Sequence, residues 1–569
     1  MSTETKHNVD IATDSRAVDA ESRGRIGRQS DRVRPLGLAI AFIATAIILA
    51  VYLLRLDASA GGFKDDGWYV VLAKSLATGN GYSLVNLPGR PGMYLFPPFF
   101  PLLLSWLFRI SPIFPGNVFL LKSLSIASML LVSVLLFRFF HREDRLPRSL
   151  AYLLAFTAAV APSFVMLATS TVMSECVFTT LQFATLLLAE RYIEKRLTTG
   201  VSFAFVVAVP ASAAYLTRTI GIALIAAVAL GFLTRKMFKP LAIFLVASLL
   251  CVAPWIVYKH LPAASGADSG PIVTGYSPYF WSRLAGSAQP GTITPWDLPA
   301  RFWQTSTVIA GDDVGGLLLP SLYRAPSESG EELIAMTAVI PSVSRNAIGL
   351  NSSTMGLNAE GQLISLGLSV VVLIGFVTSV RRSVGCPELF FAFSLLMIIA
   401  WPWPPIRYLV PLLPFFLYYL LVGVSEIYRP VLKRIGRPAP ADHWTASRIV
   451  LLLILGLFLF DNGMYIAAMH LDPNSGQYPD WLRQSDAAGE AAEWIRNHTS
   501  DKEIVSGDNL PVTYLYSHRL TEMCFPDRCS EKGIRYYLAS DGNEVPVGWR
   551  VVFQSRSRAV KVLEIPGTH

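Results

Sequence analysis

Apolar runs of about 17–25 residues recur along this 569-residue chain, and that repetition constrains its fold more than any other feature. Each run is long enough to cross a bilayer. Inside lipid a backbone must satisfy its own N–H and C=O groups, so the runs read as helices. Charged residues make up only 15% of the chain, against about 25% in soluble domains. The fold class is therefore a polytopic α-helical membrane protein. Spans are predicted near residues 36–56, 117–139, 149–166, 175–190, 201–217, 219–234, 240–258, 361–380, 388–403, 406–424 and 449–466, about eleven in all. The run Phe96–Ile110 is short and has Pro97, Pro98 and Pro101 near its start. It reads as an interfacial or re-entrant helix, not a crossing.

The net charge of +8 does not point to nucleic acid, because most Lys and Arg sit in short connections between apolar runs. If Phe96–Ile110 does not cross, the basic connections Arg138–Arg148, Arg191–Arg196, Arg235–Lys239, Arg381-Arg382 and Tyr428–Arg448 all lie on the side of the N-terminus. If it crosses, all of them move outside, against the positive-inside rule. The expected protein is thus a multi-pass plasma (inner) membrane protein with a cytoplasmic N-terminus. The first run, Pro35–Leu56, is too long for a signal-peptide core, and no small-residue cleavage site follows, so it reads as a retained anchor.

Three regions follow from this reading. Residues 1–34 are rich in Ser, Asp and Arg and are expected to be a disordered cytoplasmic leader. Residues 35–470 form the transmembrane domain, with a first outer loop at 57–116 and a long Gly/Ser/Pro-rich outer loop at 260–360. Residues 471–569 lose the apolar runs and are expected to form a small extracytoplasmic α/β domain. A helix is predicted over Ala487–Asn497, and strands at Glu503–Val505, Val512–Tyr516 and Trp549–Phe553. Cys176, Cys251 and Cys386 lie in or beside apolar runs and read as small buried hydrophobes. Cys524 and Cys529 are close in sequence in the outer region and form a disulfide candidate.

The topology gathers the chemically useful side chains at the outer face. Asp65 and Asp66 follow the first span, where carboxylates are costly unless a site uses them. Either could accept a proton, and Asp65 shares a helix face with Tyr69. One of the two could instead cap the helix. Glu175 opens a span at the same face, as a second acid that positions an acceptor or helps to hold a divalent metal. Arg218 stands alone between two apolar runs. Arg407 and Tyr408 follow the proline-broken turn Trp401-Pro402-Trp403-Pro404-Pro405, whose Trp pair suits an interfacial belt. Both arginines are candidates to bind phosphate as planar donors, with Lys74 a further cation near the acidic pair. His260 ends a span and is a weak metal candidate with Glu175. No zinc-protease, nucleophile-elbow or nucleotide-binding signature appears. Sequons stand at Asn351 and Asn497.

Four ordered pieces of this chain resemble the GT-C superfamily of integral-membrane glycosyltransferases, in particular the protein-mannosyltransferase-like and aminoarabinose-transferase-like bacterial enzymes. They are Asp65-Asp66-x-x-Tyr69 with Gly79-x-Gly81-Tyr82; Phe96-Pro97-Pro98-x-x-Pro101; Leu216-Thr217-Arg218; and Arg407-Tyr408-Leu409-Val410-Pro411 with Pro414. Ser174-Glu175 fits the outer turn of the same group. The resemblance implies a polyprenyl-phosphate sugar donor, an extracytoplasmic glycan, lipid or protein acceptor, a first-loop Asp as base, and an outer C-terminal domain. By that similarity Asp65 takes the base role. The family usually has Asp followed by Glu, where this chain has Asp66. Two other readings also need cations near lipid phosphate: a transporter or flippase of lipid-linked sugars, and a polymerase or ligase of lipid-linked glycans. A transporter would not need an acidic pair outside, and the inverted repeats usual in such proteins are not evident.

Overall fold

The computed structural model describes residues 35–62, 65–142, 145–194, 200, 202–260, 276–281, 292–320, 359–403, 405–434, 443–473, 475, 478–524, 528–540 and 545–566. The leader, Lys64, Asn351, Pro404 and most of the loop 261–358 lie outside the described residues. The chain divides into a short unit ending at Ala50, whose described part is helical from Pro35, and a large unit from Val51 onward.

Each apolar run carries helix. Five helices are long and apolar enough to cross a membrane: Val118–Phe140, Phe238–His260, Gly361–Arg382, Ile406–Pro430 and Thr445–Ala468. A sixth is broken. Arg148–Ala159 and Pro162–Thr169 meet at 46°, where Pro162 has no N–H to continue the ladder. Shorter apolar helices include Phe203–Thr217, Thr219–Thr234 and Cys386–Ala400. The helix Phe99–Ile110 has 12 residues, about 18 Å, too short to span a bilayer. It buries Phe100, Leu104 and Phe108 and exposes Leu102, Trp106 and Ile110.

Helix packing follows the small and aromatic residues. Gly375 of Ala359–Arg382 and Gly423 of Leu413–Arg434 let the two backbones touch: a methyl on Gly375 would strike the Tyr419 carbonyl, and one on Gly423 the Val371 carbonyl. Phe183 stacks on Phe415 at 5.1 Å and Phe391 meets Tyr419 at 5.0 Å. A buried charged group fixes the start of the first loop. Lys122 Nζ lies 2.9 Å from Asp57, while Arg55 donates to Asn462 at 2.7 Å and lies over the Tyr465 ring at 4.0 Å.

The C-terminal region packs helix Asp480–His498 on a four-stranded sheet. The strands are β1 (Ser506–Gly507), β2 (Tyr536–Ser540), β3 (Arg550–Gln554) and β4 (Val560–Glu564), in the order β1-β2-β4-β3. Only the β1–β2 pair is parallel. Ala487, Ala491, Ala492 and Ile495 of the helix meet Leu538, Val560 and Val562 of the sheet. Cys524 and Cys529 are joined by a disulfide with Cα atoms 5.1 Å apart. Two sequence expectations fail here. Glu503–Val505 lies outside the sheet's strands, with Val505 in an isolated bridge to Thr521 and β1 beginning at Ser506. Val512–Tyr516 is not a strand but lies in the helix Leu510–Ser517. Asn509 caps its N-terminus by accepting from Val512 N, Pro511 occupies the first turn, and His518 closes it in the left-handed region at φ 59°. Strands β2 and β4 were not anticipated.

Candidate active site

The first loop reaches the site through a tight turn. Asp66 is fully buried, and its carboxylate accepts from Gly61 N at 2.6 Å. Gly61 sits at φ +91°, where a side chain would also collide with Val512. Across the turn, Asn509 Nδ2 donates to the Gly61 carbonyl at 2.7 Å, and a methyl on Gly67 would lie 2.8 Å from Pro511. Further along the loop, Thr521 N donates to Asn86 O at 2.7 Å. The C-terminal region thus braces the start of helix Asp65–Ala77 and with it the orientation of Asp65.

Asp65 is only partly covered, its side chain 30% exposed, and its Oδ2 accepts from Arg407 Nη2 at 2.6 Å. Arg407 comes from the short helix Ile406–Leu409, flanked by Pro405 and by the 3-10 turn Val410–Leu412 with Pro411. Pro405 stands at the N-cap, so the guanidinium is presented at the entry to the span Ile406–Pro430. Behind it lies Glu175, the first residue of helix Glu175–Glu194, with no exposed surface. Glu175 Oε1 is 2.7 Å from Arg218 Nη1 and 3.6 Å from Arg407 Nε. Arg218 stands on an extended residue, φ −146° and ψ 134°, between Phe203–Thr217 and the turn Thr219–Gly221. That turn needs Gly221, because a Cβ there would come 2.5 Å from Tyr215 N. Two carboxylates therefore meet two guanidiniums in one chain: Asp65, Arg407, Glu175, Arg218.

Aromatic and hydroxyl groups complete the cluster. The Tyr408 ring lies 5.7 Å from the Arg218 guanidinium and 5.2 Å from that of Arg407. Arg218 donates to Ser174 Oγ at 3.2 Å, and Ser174 donates to Tyr69 OH at 3.2 Å. Tyr69 packs between Phe96 and Phe100 at 5.0 and 5.1 Å. Burial pushes its phenol well above the ordinary tyrosine range, so it stays protonated.

The four sequence pieces thus meet around one cluster, which brings together Asp65, Glu175, Arg218, Arg407 and Tyr408. Asp66 and Lys74 stand apart. Asp66 closes the loop turn. Lys74 lies nine residues, about 13 Å, along the helix from Asp65, and its Nζ sits 4.5 Å over the Tyr514 ring. His260 is the last residue of helix Phe238–His260. Among the described residues no three His, Cys, Asp or Glu side chains converge to hold a metal ion, and Glu175 is engaged by two arginines. Sequence reasoning missed the short helix Tyr276–Phe280 of the long outer loop. Burial raises the Tyr276 phenol to about 12, against a lowering hydrogen bond with Thr219; Tyr408 and Asp65 add to the rise. The available signal was an aromatic run, Tyr276-Ser-Pro-Tyr279-Phe280, inside an otherwise Gly/Ser/Pro-rich loop.

No protein-family model and no curated protein matches the sequence. Solved structures do match in fold. ArnT from Cupriavidus metallidurans, in the apo state, aligns with a TM-score of 0.52 at 13% identity, over 93% of this chain and 98% of its own. The same protein bound to undecaprenyl phosphate aligns at 0.50 and 13%, over 94% and 99%. The oligosaccharyltransferase AglB from Archaeoglobus fulgidus, in complex with an inhibitory peptide and a dolichol-phosphate, aligns at 0.52 and 12%, over 88% and 69%. The chain shares the overall fold of these proteins. The alignments run across both the membrane helices and the C-terminal region, as the near-complete coverage requires.

Proposed function

We propose that this protein is a membrane glycosyltransferase that moves a sugar from a polyprenyl-phosphate donor to an extracytoplasmic acceptor. The observation that carries the reading is the half-open Asp65–Arg407 pair, 2.6 Å apart and backed by buried Glu175 and Arg218. A proton acceptor and a phosphate-binding cation stand side by side, which is what glycosyl transfer from a lipid phosphate demands. The fold of proteins solved with undecaprenyl phosphate and with dolichol-phosphate supports the donor class. In this reading the N-terminus is cytoplasmic, and the site and the C-terminal region face outward, as the basic connections require.

The donor phosphodiester takes over Arg407 and releases the Asp65 carboxylate. The acceptor hydroxyl attacks the anomeric carbon, the bond from that carbon to the phosphate oxygen breaks, and Asp65 takes the acceptor proton. The lipid leaves as a phosphate monoester with one more negative charge. Arg407 and Arg218 neutralise that charge. Glu175 is a positioning residue, because its contacts are with the two arginines. No step requires a nucleotide, since the sugar arrives already activated.

The test is sugar transfer by purified protein in nanodiscs from a panel of polyprenyl-phosphate sugars. Asp65→Asn is expected to lower turnover by about 10²–10⁴-fold, while Asp66→Asn retains most of the turnover per folded molecule. Unchanged transfer in Asp65→Asn would sink the base assignment. Movement of the lipid-linked sugar across the bilayer without transfer would establish a flippase instead.

A further inference from the structure

The short helix Tyr276–Phe280 and the turn before Arg407 face each other with aromatic rings. Tyr276 meets Trp401 edge-on at 5.5 Å, Tyr279 lies 6.3 Å from Trp403, and Phe280 lies 6.5 Å from Trp401. All five rings are partly exposed. Arg301 pins the helix in place by donating to Phe280 O at 2.7 Å and to Ala400 O at 3.4 Å, the second carbonyl belonging to the residue before Trp401. The wall is therefore fixed from both sides. It also adjoins the charged cluster: Trp403 comes four residues before Arg407, whose guanidinium is 2.6 Å from the Asp65 carboxylate.

We propose that Tyr279 and Trp403 are specificity residues that clamp the donor's sugar ring, with Tyr276 and Trp401 holding the clamp shut. This rests on the transferase reading above. Three parts of such a donor need three surfaces. The polyprenyl chain belongs in lipid, and the phosphate belongs on the arginines. What then lies next to Asp65 is the sugar, whose contiguous C–H face packs on aromatic rings while its hydroxyls stay at the polar rim. An interfacial Trp belt explains the tryptophans less well, because belt residues meet lipid headgroups, whereas Trp401 and Trp403 meet rings from a polar outer loop. An acidic sugar fits poorly, because a uronic acid would bring a second carboxylate against Asp65.

The clamp touches the sugar and not the phosphate, and that difference is measurable. Binding of radiolabelled undecaprenyl phosphate, undecaprenyl-phosphate glucose and undecaprenyl-phosphate mannose would be compared in nanodiscs for wild type, Tyr279→Ala, Trp403→Ala, Trp403→Phe and Arg407→Gln. The wild type is expected to hold at least one sugar-bearing lipid more tightly than the bare phosphate. Each alanine variant is expected to lose about three- to tenfold of affinity for that lipid alone. Trp403→Phe restores most of it, and Arg407→Gln weakens all three lipids. Unchanged binding of the bare lipid shows that the alanine variants are folded. Equal loss for all lipids in the alanine variants overturns the clamp in favour of a structural belt. Wild type that holds the bare and sugar-bearing lipids equally overturns the clamp but leaves the transferase reading standing, whereas wild type that binds no lipid overturns both.

Discussion

Glu175→Gln removes one negative charge from between two guanidiniums, and its cost follows from burial. Glu175 has no exposed surface, Arg218 has 9% and Arg407 has 12%. Arg407 retains Asp65 at 2.6 Å as a partner. Arg218, whose one carboxylate partner among the described residues is Glu175 at 2.7 Å, is left as a buried cation facing a second cation. Breaking a buried pair from one side costs about 3–5 kcal/mol, or a factor of roughly 10²–10⁴ in the folded population. Replacing both partners is a different perturbation, because no uncompensated charge remains. Glu175→Gln combined with Arg218→Met is therefore expected to recover to within about 1–2 kcal/mol of wild type. Reversible unfolding in mixed micelles, followed by circular dichroism, gives all four corners of this double-mutant cycle. The reasoning is refuted if Glu175→Gln is as stable as wild type within about 0.5 kcal/mol, or if the two single losses simply add in the double variant.

Other perturbations separate folding from chemistry. Asp65→Asn should change stability by less than about 1 kcal/mol, because its ion pair is part-exposed. Asp66→Ala should cost about 1–3 kcal/mol by stranding the Gly61 N–H; the same unfolding assay compares the two. Gly375→Ala should lose about 1–3 kcal/mol, since the new methyl meets the Tyr419 carbonyl, while Gly367→Ala on the same helix meets nothing within 4 Å and should be neutral. In the C-terminal sheet, hydrogen bonds from Arg550 and Arg535 hold the Glu564 carboxyl below its usual range. A depressed folded value stabilises above the unfolded value near 4.5 and is lost as pH falls through the folded one. Trp549 fluorescence should therefore report a small acid destabilisation, under about 1 kcal/mol, that Arg550→Gln reduces.

Much of the architecture was legible because lipid leaves few choices. An apolar run of adequate length must be helical, and the runs do carry helices, including the one that Pro162 bends. The candidate site was legible for a related reason. A carboxylate or guanidinium at a span end is costly, so Asp65, Glu175, Arg218 and Arg407 stood out, and they meet. Long-range contacts were not legible. Whether Asp65 or Asp66 meets Arg407 depends on the Gly61 turn and on Pro511, far away in sequence. Lys74 looked like a phosphate cation because nothing local indicated Tyr514. Val512–Tyr516 is rich in β-branched and aromatic residues, yet Asn509 and Pro511 start a helix, and over five residues the cap outweighs strand propensity. The aromatic helix Tyr276–Phe280 had no period to read at all.

On the proposed reading, the charge count explains why the site is built from ion pairs and not from a free base. Asp65 and Glu175 balance Arg218 and Arg407, so the empty cluster is neutral and tolerable at a membrane face. A donor phosphodiester adds one negative charge. It competes for Arg407, and the Asp65 carboxylate that loses this partner becomes a better proton acceptor. Transfer then moves a charge without creating one: Asp65 becomes neutral as the phosphate goes from one negative charge to two, with Arg407 between them. The base is thus strong only when a donor is bound, and a carboxylate clamped at 2.6 Å by Arg407 is poorly placed to act before that. An unpaired aspartate would be basic at all times and would activate water as readily as acceptor. Pairing it with the cation that the donor phosphate will claim ties proton acceptance to the presence of a sugar to transfer.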